Sequence, residues 1–165
     1  MLKVVVDTSV FVSGFLSRNR SSNPSMIISR WRDGDFQLVM SRPILEEITA
    51  TLLEKGIDEK NILEFVTTIG KLALFVPADL IVYRLDNIDP ADNKFLSAAQ
   101  ESQADFLVSL DAKHLLPLKH HYRTQILNPK LFIQILDREV SQEEKRIEKE
   151  FEAIFHELQN EETQL

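Results

Sequence analysis

Short runs of apolar, β-branched residues alternate along this chain with longer amphipathic stretches. A period near two in the short runs and near 3.6 in the long ones predicts strands alternating with helices, hence a parallel sheet with helices on both faces. The predicted strands cover residues 3–6, 36–40, 73–76, 106–109 and 124–127. The predicted helices cover about residues 23–34, 43–55, 59–72 and 90–102, with a short helix from residue 129.

The last part of the chain has a different pattern. Between Ser141 and Gln159 the apolar residues form one helical stripe on an otherwise charged segment: Ile147, Phe151, Ile154, Phe155 and Leu158. We therefore divide the chain into a domain, residues 1–136, and an acidic amphipathic helical extension, residues 137–165. The stripe either packs back on its own domain or docks on another subunit or a partner protein.

Composition and charge exclude several classes of protein. The chain has no cysteine, which excludes disulfide scaffolds and zinc–thiolate sites. It has neither a signal-peptide pattern nor an apolar run of about 20 residues, so we expect a soluble, cytoplasmic protein without a membrane segment. The net charge of −7 is concentrated in residues 137–165, which hold 10 acidic and 4 basic side chains. The near-neutral remainder leaves a nucleic-acid partner open.

Acidic residues follow two of the predicted strands. Asp7 ends the run of residues 2–6, and Asp111 follows the run of residues 106–110. Each could simply cap the next helix, because Asp is a good N-cap residue. Carboxyl ends of parallel strands meet at one edge, however, and that edge is where ligands collect in open α/β sheets. Converging carboxylates without Cys or His ligands favour hard cations such as Mg²⁺ and Mn²⁺.

Two further acids lie on predicted helices. Ile44, Ile48 and their neighbours define the buried face of the second predicted helix, which leaves Glu46 pointing outward and Glu47 on the flank of that face. We therefore choose Glu47 as the candidate ligand, although most single helical Glu residues are ordinary surface groups. Only a flanking side chain can reach a cleft at the strand ends.

The segment from Asp89 to Asn93 holds the fourth candidate. Asp89 is predicted to cap a helix that starts at Pro90, which leaves Asp92 as the better ligand, although an acid at the third helical position also stabilises the helix by itself. Asn93 could support the ligands by a hydrogen bond to one of them. Ser9 could do the same for the carboxylate of Asp7.

These motifs, in this order and spacing, resemble those of the PIN-domain nucleases. The resemblance spans about residues 1–136. The motifs are similar to those of the branch that supplies the toxins of bacterial toxin–antitoxin modules. It is carried by four segments: Val4–Ser13, Ser41–Ile48 with Leu52, Asp89–Ala99, and Ala104–Asp111 with His114–Leu116. The segment before Asp111 lacks the glycine often found there in the family.

The resemblance implies a three-layer α/β/α fold with a central parallel sheet. It also implies that Asp7, Glu47, Asp92 and Asp111 coordinate Mg²⁺ or Mn²⁺, one ion or two, in an endoribonuclease that cleaves single-stranded RNA. In that reading Asp7 bridges the metals and Glu47 holds a metal or orients the attacking water. Homodimers are common in the family, and its toxins are silenced by a small antitoxin protein. We expect both kinds of partner here.

Phosphate contacts require nearby cations. Arg18 and Arg20, in the loop predicted to follow the first strand, and Lys113, beside Asp111, are the candidates for binding RNA. The run of residues 119–123 mixes basic and aromatic side chains that could follow a strand and stack a base. An ordinary solvated loop remains the alternative there, and we favour it for the two histidines of that run.

Two other functions remain open. A catalytically weak PIN-like module could act by binding, with the C-terminal helix as its functional surface. An aspartate-nucleophile phosphatase would also place an Asp after the first strand, but it usually needs a second acid two residues later, where this chain has Ser9. The phosphatase therefore ranks third.

Overall fold

The computed structural model describes residues 1–162, and it describes side chains as far as residue 159. Its strands are β1 (Lys3–Val6), β2 (Gln37–Met40), β3 (Leu74–Phe75), β4 (Phe106–Val108), β5 (His120–His121) and β6 (Thr124–Leu127). Within the described residues they form one sheet in the order β3-β2-β1-β4-β6-β5, in which only β5 is antiparallel to its neighbour. The predicted class, a three-layer α/β/α fold around a mostly parallel sheet, is confirmed.

The helices of the described part are α1 (Thr8–Leu16), α2 (Asn23–Arg32), α3 (Arg42–Glu54), α4 (Glu59–Leu72), α5 (Asn93–Ser102) and α6 (Pro129–Glu162). The order of the strands explains why the helices lie on two faces. The chain steps one way from β1 to β2 and β3, and the other way from β1 to β4 and β6, and right-handed crossovers in opposite directions cover opposite faces.

Aromatic side chains fix two of these helix layers on the sheet. Phe65 of α4 meets the rings of Phe11 and Trp31 at centroid distances of 5.3 and 6.1 Å, which joins α4 to α1 and α2. Elsewhere, Phe132 at the start of α6 meets Phe36 at 5.2 Å and Phe106 at 5.7 Å. Each fully buried aliphatic or aromatic side chain of this kind contributes roughly 1.5–3 kcal/mol.

Helix α2 packs on α1 at a residue without a side chain. A Cβ atom on Gly14 would lie 2.5 Å from Cδ1 of Ile28 and 3.1 Å from the carbonyl oxygen of Pro24. The hydroxyl of Ser25 donates to the Gly14 carbonyl at 3.2 Å. The glycine therefore lets the first turn of α2 approach the backbone of α1 directly.

The sequence placed some helix starts differently. Helix α2 is capped by Ser22, whose hydroxyl accepts from the amide of Ser25, and Asn23 already lies in the helix. Ser41 precedes α3 but makes no capping bond, and its hydroxyl is the one buried side-chain polar atom without a hydrogen-bond partner in the described part of the chain. Helix α1, which was not placed among the predicted elements, begins directly after Asp7.

The C-terminal part forms one continuous helix from Pro129 to Glu162, where the sequence predicted a short helix and a separate amphipathic one. The chain divides into two compact units, residues 1–132 and the part from residue 133 onward. In the second unit, Arg146 binds Glu143 and Glu150 at 2.6 and 3.1 Å, pairs that stabilise a helix surface. No helix of the described residues has the length and apolar character needed to cross a membrane.

Candidate functional site

The carboxyl ends of β1 and β4 bring the first and last predicted acids together. These strands are parallel neighbours, with Val6 opposite Val108, and the amide of Asp7 donates to the carbonyl oxygen of Val108 at 2.9 Å. Asp111 follows three residues after Val108. Local sequence accounts for the position of each residue, because each apolar strand stops where the first polar groups begin.

The carboxylate of Asp7 is buried and bound by hydroxyl groups. Only 6% of the residue is exposed, and Oδ2 accepts hydrogen bonds from Ser9 Oγ at 2.8 Å and Ser109 Oγ at 2.6 Å. Burial raises the pKa of Asp7 above its ordinary value, the serine hydrogen bonds lower it in part, and the charge of Glu47 raises it further. Asp7 also accepts from the amide of Ser9 as the N-cap of α1, so capping and membership of the site coexist.

Two serines join the ends of the strands. Ser109 is fully buried, and its hydroxyl donates to Asp7 while accepting from the amide of Asp111 at 2.9 Å. The hydroxyl of Ser9 accepts from the amide of Leu110 at 3.3 Å. Sequence reasoning proposed Ser9 as a supporting residue but missed Ser109. A hydroxyl in the last position of an otherwise apolar strand was the available signal.

The pKa of Asp111 is shifted in the opposite direction from the pKa of Asp7. Its Oδ1 accepts from the amides of Lys113 and His114 at 2.9 and 3.1 Å. Partial burial raises the pKa of the Asp111 carboxyl, but these amide hydrogen bonds and the charge of His114 outweigh it, and the pKa lies below its ordinary value. The backbone therefore stabilises the ionised form of this group.

Asp92 is the focus of repulsion in the site. Burial, which is the largest cause, and the charges of Asp7, Asp89, Asp111 and Glu47 together raise the pKa of Asp92 to about 7. Each of those four carboxylates is close enough to disfavour a charge on Asp92. The fold thus gathers all four predicted acids and a fifth, Asp89, around one point at the carboxyl edge of the sheet.

Glu47 faces this edge and Glu46 faces away from it. The hydroxyl of Thr8 donates to Glu47 Oε2 at 2.5 Å, and Lys94 Nζ donates to Glu47 Oε1 at 2.9 Å. Glu46 pairs instead with Arg42 on the surface, where both side chains are mostly exposed. Thr8 and Lys94, which sequence reasoning did not select, hold Glu47 in place from two other helices.

Asp89 and His114 also lie at the site, although the sequence predicted neither as a metal ligand. Asp89 was expected to be occupied as a helix cap, but it makes no capping hydrogen bond. His114 Nδ1 lies 3.6 Å from Asp89 Oδ2 and 3.6 Å from Asp111 Oδ2. Asp89, Asp92 and His114 each offer one ligand atom, and these atoms lie within 4.8 Å of one another. The cluster can hold a metal ion.

Three other predicted residues have different surroundings from those expected. Asn93, expected to support the ligands, accepts from the amide of Leu85 at 3.0 Å and donates to Asp86 at 2.7 Å. Arg18 and Arg20 do not follow β1 directly, because α1 intervenes and carries the chain about 14 Å from Asp7. Arg20 lies instead in a cleft beside Gly14 and Arg32.

Chemically, the edge is a concentration of hard oxygen ligands. Asp7, Asp89, Asp92 and Asp111 supply carboxylate oxygens, His114 adds one nitrogen, and Lys94 adds a cation beside Glu47. Divalent cations such as Mg²⁺ and Mn²⁺ bind oxygen-rich sites of this kind. The donor set therefore fits the metal that the sequence predicted.

Comparison with known proteins agrees with the fold. The family model described as PIN domain matches residues 3–113. No curated protein matches the chain.

Two solved structures share the fold. The crystal structure of VapBC2 from Rickettsia felis, bound to a DNA fragment from its promoter, aligns with 12% identity over 77% of this chain and 98% of that chain, at a TM-score of 0.53. The structure of FitAB bound to an IR36 DNA fragment aligns with 14% identity over 76% of this chain and 94% of that chain, also at 0.53.

Proposed function

This chain belongs to the PIN domain family, and on that basis we propose that it is a metal-dependent endoribonuclease that cleaves single-stranded RNA. The observation that carries the proposal is the convergence of carboxylates, with His114, at the carboxyl edge of the sheet. Burial and then the charges of four neighbouring acids raise the pKa of Asp92 to about 7, so these carboxylates repel one another. A protein that only needed a stable fold would gain nothing by keeping five acids in one place.

A divalent cation relieves that repulsion. Asp7, Asp92 and Asp111 would hold Mg²⁺ or Mn²⁺, with Asp89 and His114 available on the side of Asp92. The ion supplies Lewis-acid neutralisation of the scissile phosphate and lowers the pKa of a coordinated water. Ser109 and Ser9 fix the orientation of the Asp7 carboxylate by donating to it. Preorganised ligands of this kind do not have to reorient when the substrate arrives.

Glu47 has a separate role. Its two carboxylate oxygens are already bound by Thr8 and Lys94, so its position is fixed in the absence of any ligand. We assign to Glu47 either a metal contact or the orientation of the attacking water. Lys94 Nζ lies beside Glu47, and Lys113 follows Asp111 by two residues; we assign to both lysines contacts with the phosphates of the RNA.

We propose further that the protein is the toxin of a toxin–antitoxin module, acts in the cytoplasm, forms a homodimer and is inhibited by an antitoxin protein. Support comes from the resemblance of its motifs to the toxin branch of the family. The two complexes that share its fold, VapBC2 and FitAB, are each described bound to DNA. Coexpression with the product of a neighbouring reading frame, followed by size-exclusion chromatography, tests the partnership.

The test of the proposed reaction is cleavage of a mixed pool of single-stranded RNA with Mg²⁺ or Mn²⁺, against EDTA. We expect the wild-type protein to cleave RNA only when Mg²⁺ or Mn²⁺ is present, and to leave 5′-phosphate and 3′-hydroxyl ends. Asp7→Asn is expected to abolish cleavage, and Asp58→Asn, an exposed acid before α4, serves as the matched control. A folded wild-type protein that neither binds these metals in calorimetry nor cleaves RNA would contradict the proposal.

A second candidate function is a binding module that acts through its C-terminal helix. The favouring observation is the exposure of an apolar stripe within α6: Ile147, Phe151, Ile154, Phe155 and Leu158 are each more than half exposed. Loss of metal binding with retained capture of a partner would favour this alternative. Substitution of Phe151 and Phe155 by Glu would then abolish capture, whereas it would leave RNA cleavage intact under the nuclease proposal.

A further inference from the structure

A groove of about 580 Å³ opens beside α5, at the free edge of the sheet. One wall is the loop that precedes Asp89, the floor is β5 with the side chain of Gln100, and the other wall is the turn between β5 and β6. The side chains that matter for its chemistry are Tyr83, Arg84, Gln100, His120, His121 and Tyr122. None of these belongs to the acidic cluster described above.

The groove has a fixed floor. Arg84 Nη1 donates to the carbonyl oxygen of His120 at 2.7 Å and lies 3.3 Å from His121 Nδ1. His121 Nε2 lies 3.0 Å from Gln100 Oε1. Burial lowers the pKa of His121, and the charge of Arg84 lowers it further, so this ring is neutral at pH 7. These bonds join the loop to β5 and α5 and hold the groove open without a ligand.

Both tyrosines of the chain line this one groove, and both are exposed. Tyr83 is 68% and Tyr122 is 74% accessible to solvent. Tyr122 lies in the turn between β5 and β6 with a φ of 49°, a backbone conformation that bulky residues rarely adopt. Its ring packs edge-on against His121, at a centroid distance of 4.9 Å. A core or a tight turn does not require an exposed aromatic residue in that position.

The charge of the groove points to an anionic ligand. Among the described residues that line it none is acidic, although the chain as a whole carries a net charge of −7. Arg84 lies within the groove, and Arg123 follows Tyr122 in the same turn, paired with Asp105 at 3.2 Å. Exposed aromatic rings beside cationic side chains, in an open groove, form the pattern that binds single-stranded nucleic acid by stacking.

The groove is connected to the acidic edge through covalent and hydrogen-bonded links. The loop continues from Arg84 to Leu85, whose amide donates to Asn93 at the start of α5. The amide of Asp89 donates to the carbonyl oxygen of Leu85 at 2.9 Å. Gln100 lies seven residues beyond Asn93, so α5 spans about 10 Å between the edge and the groove. A nucleic-acid strand that runs along α5 from the acidic edge would reach Tyr83 and Tyr122.

We propose that this groove binds the RNA strand on one side of the scissile phosphate. Bases stack on Tyr83 and Tyr122, and Arg84 contacts the backbone. The inference rests on the proposed nuclease function for its substrate, but it concerns residues outside the reacting centre. It also accounts for Asn93, whose side chain holds the groove-forming loop against the start of α5 instead of supporting the acids.

The test separates binding from cleavage. Affinity for a fluorescein-labelled single-stranded RNA 12-mer is measured by anisotropy in an Asp7→Asn background, in which RNA is not cut. Tyr83→Ala and Tyr122→Ala are each expected to weaken binding by roughly 5- to 100-fold, the range for the loss of one stacked base. Tyr83→Phe and Tyr122→Phe keep the ring and are expected to bind within about twofold of the parent.

A small phosphodiester, bis(p-nitrophenyl) phosphate, reports on the acids alone. In the cleaving protein, the alanine variants are expected to raise KM for RNA and to keep kcat and hydrolysis of the small substrate. If the alanine variants bound the 12-mer as tightly as their parent and still hydrolysed the small substrate, the proposed role of the groove would be wrong. The nuclease proposal would stand. A wild-type protein inert towards both substrates would remove the nuclease proposal, and anisotropy would still decide whether the groove binds RNA.

Discussion

The acidic edge of the sheet and the groove beside α5 are built on different principles. At the edge, hydrogen bonds hold the carboxylates of Asp7, Asp111 and Glu47, and burial and mutual repulsion raise the pKa values of Asp7 and Asp92. In the groove the rings of Tyr83 and Tyr122 face solvent, and Arg84 is the charged group that ties the walls together. A reacting centre needs charge held in fixed geometry, whereas a binding groove needs exposed apolar area. The difference suggests that reaction and strand binding can be disabled separately.

Asp92→Asn is expected to separate RNA cleavage from RNA binding most strongly. Loss of a group that supports a metal ligand costs 10–100-fold in affinity or activity, so loss of the ligand itself is expected to reduce RNA cleavage by about 100-fold or more. Affinity for the RNA 12-mer is expected to change by less than about threefold, because the groove is untouched. Initial rates and anisotropy measure the two quantities, with Asp79→Asn as the control at an exposed acid. A parallel loss of binding and cleavage would show that the two regions are one site.

A smaller effect at the same edge is expected from Ser109→Ala. The change removes a donor to Asp7 and an acceptor for the amide of Asp111. We expect cleavage to fall by roughly 10–100-fold and the free energy of unfolding to fall by about 1–3 kcal/mol.

Ser102→Ala is the matched control for Ser109→Ala. It removes a buried hydroxyl that only bonds carbonyl groups of its own helix, so its cost is expected in stability and not in activity. Urea titration and initial rates measure both variants. Equal activity of the two serine variants would refute the assigned role of Ser109.

The pH dependence of stability distinguishes the edge from the rest of the molecule. Without metal, Asp92 keeps its proton up to about pH 7 in the folded chain and loses it near pH 4 when unfolded. The folded state therefore binds more protons in this window, so the free energy of unfolding falls as pH rises from about 4 to 7 and then levels off.

Asp92 is half-buried, so solvent screening limits the fall to roughly 1–2 kcal/mol. Urea titrations in EDTA across this window measure it. Asp92→Asn is expected to reduce the slope and to leave the part due to Asp7, whose pKa burial also raises, whereas Glu59→Gln, at an exposed acid, is expected to preserve the whole slope. Saturating Mg²⁺ should also suppress the slope, since the ion competes with the proton. A stability profile identical in wild type and Asp92→Asn would contradict the repulsion on which the metal site is argued.

The smallest effect is expected at Glu46, which lies next to Glu47 on α3 but outside the acidic edge. Glu46→Gln breaks an exposed pair with Arg42 and is expected to change the free energy of unfolding by less than about 0.5 kcal/mol, with no change in cleavage. Glu47→Gln, one residue along the same helix, is expected to reduce cleavage at least tenfold. Thermal unfolding and initial rates compare the two. Similar activity of both variants would place Glu47 outside the reacting site.

Local sequence signals explain how much of this arrangement could be predicted. The apolar runs before Asp7 and Asp111 predicted β1 and β4, and the helical phase of Ile44 and Ile48 separated Glu46 from Glu47. These signals depend only on neighbours in the chain. Family likeness to the PIN domain then related the four acids, which local patterns could not do by themselves.

The features that were missed depend on contacts between distant residues. Ser109 acquires its role from Asp7, 102 residues away, and Asp89 is paired by His114 instead of capping a helix. Strand β5 has two residues, too few for a period, and exists because β6 offers it a partner. The groove is formed by a loop without periodicity, and its tyrosines are 39 positions apart in the printed sequence.

The order of the central strands along the chain also has a consequence for the cell that makes this protein. Strand β1 lies at the centre of the sheet, but its partner β4 and the serine that completes the Asp7 site come about 100 residues later. At translation rates of roughly 5–20 residues per second, the ribosome needs about 5–20 s to add them. During that interval the nascent chain acquires Glu47, Asp89 and Asp92 but still lacks Ser109 and Asp111, so the site is incomplete. If the protein cleaves RNA, the order of its strands delays completion of the site until residues 106–111 of its own message have been translated.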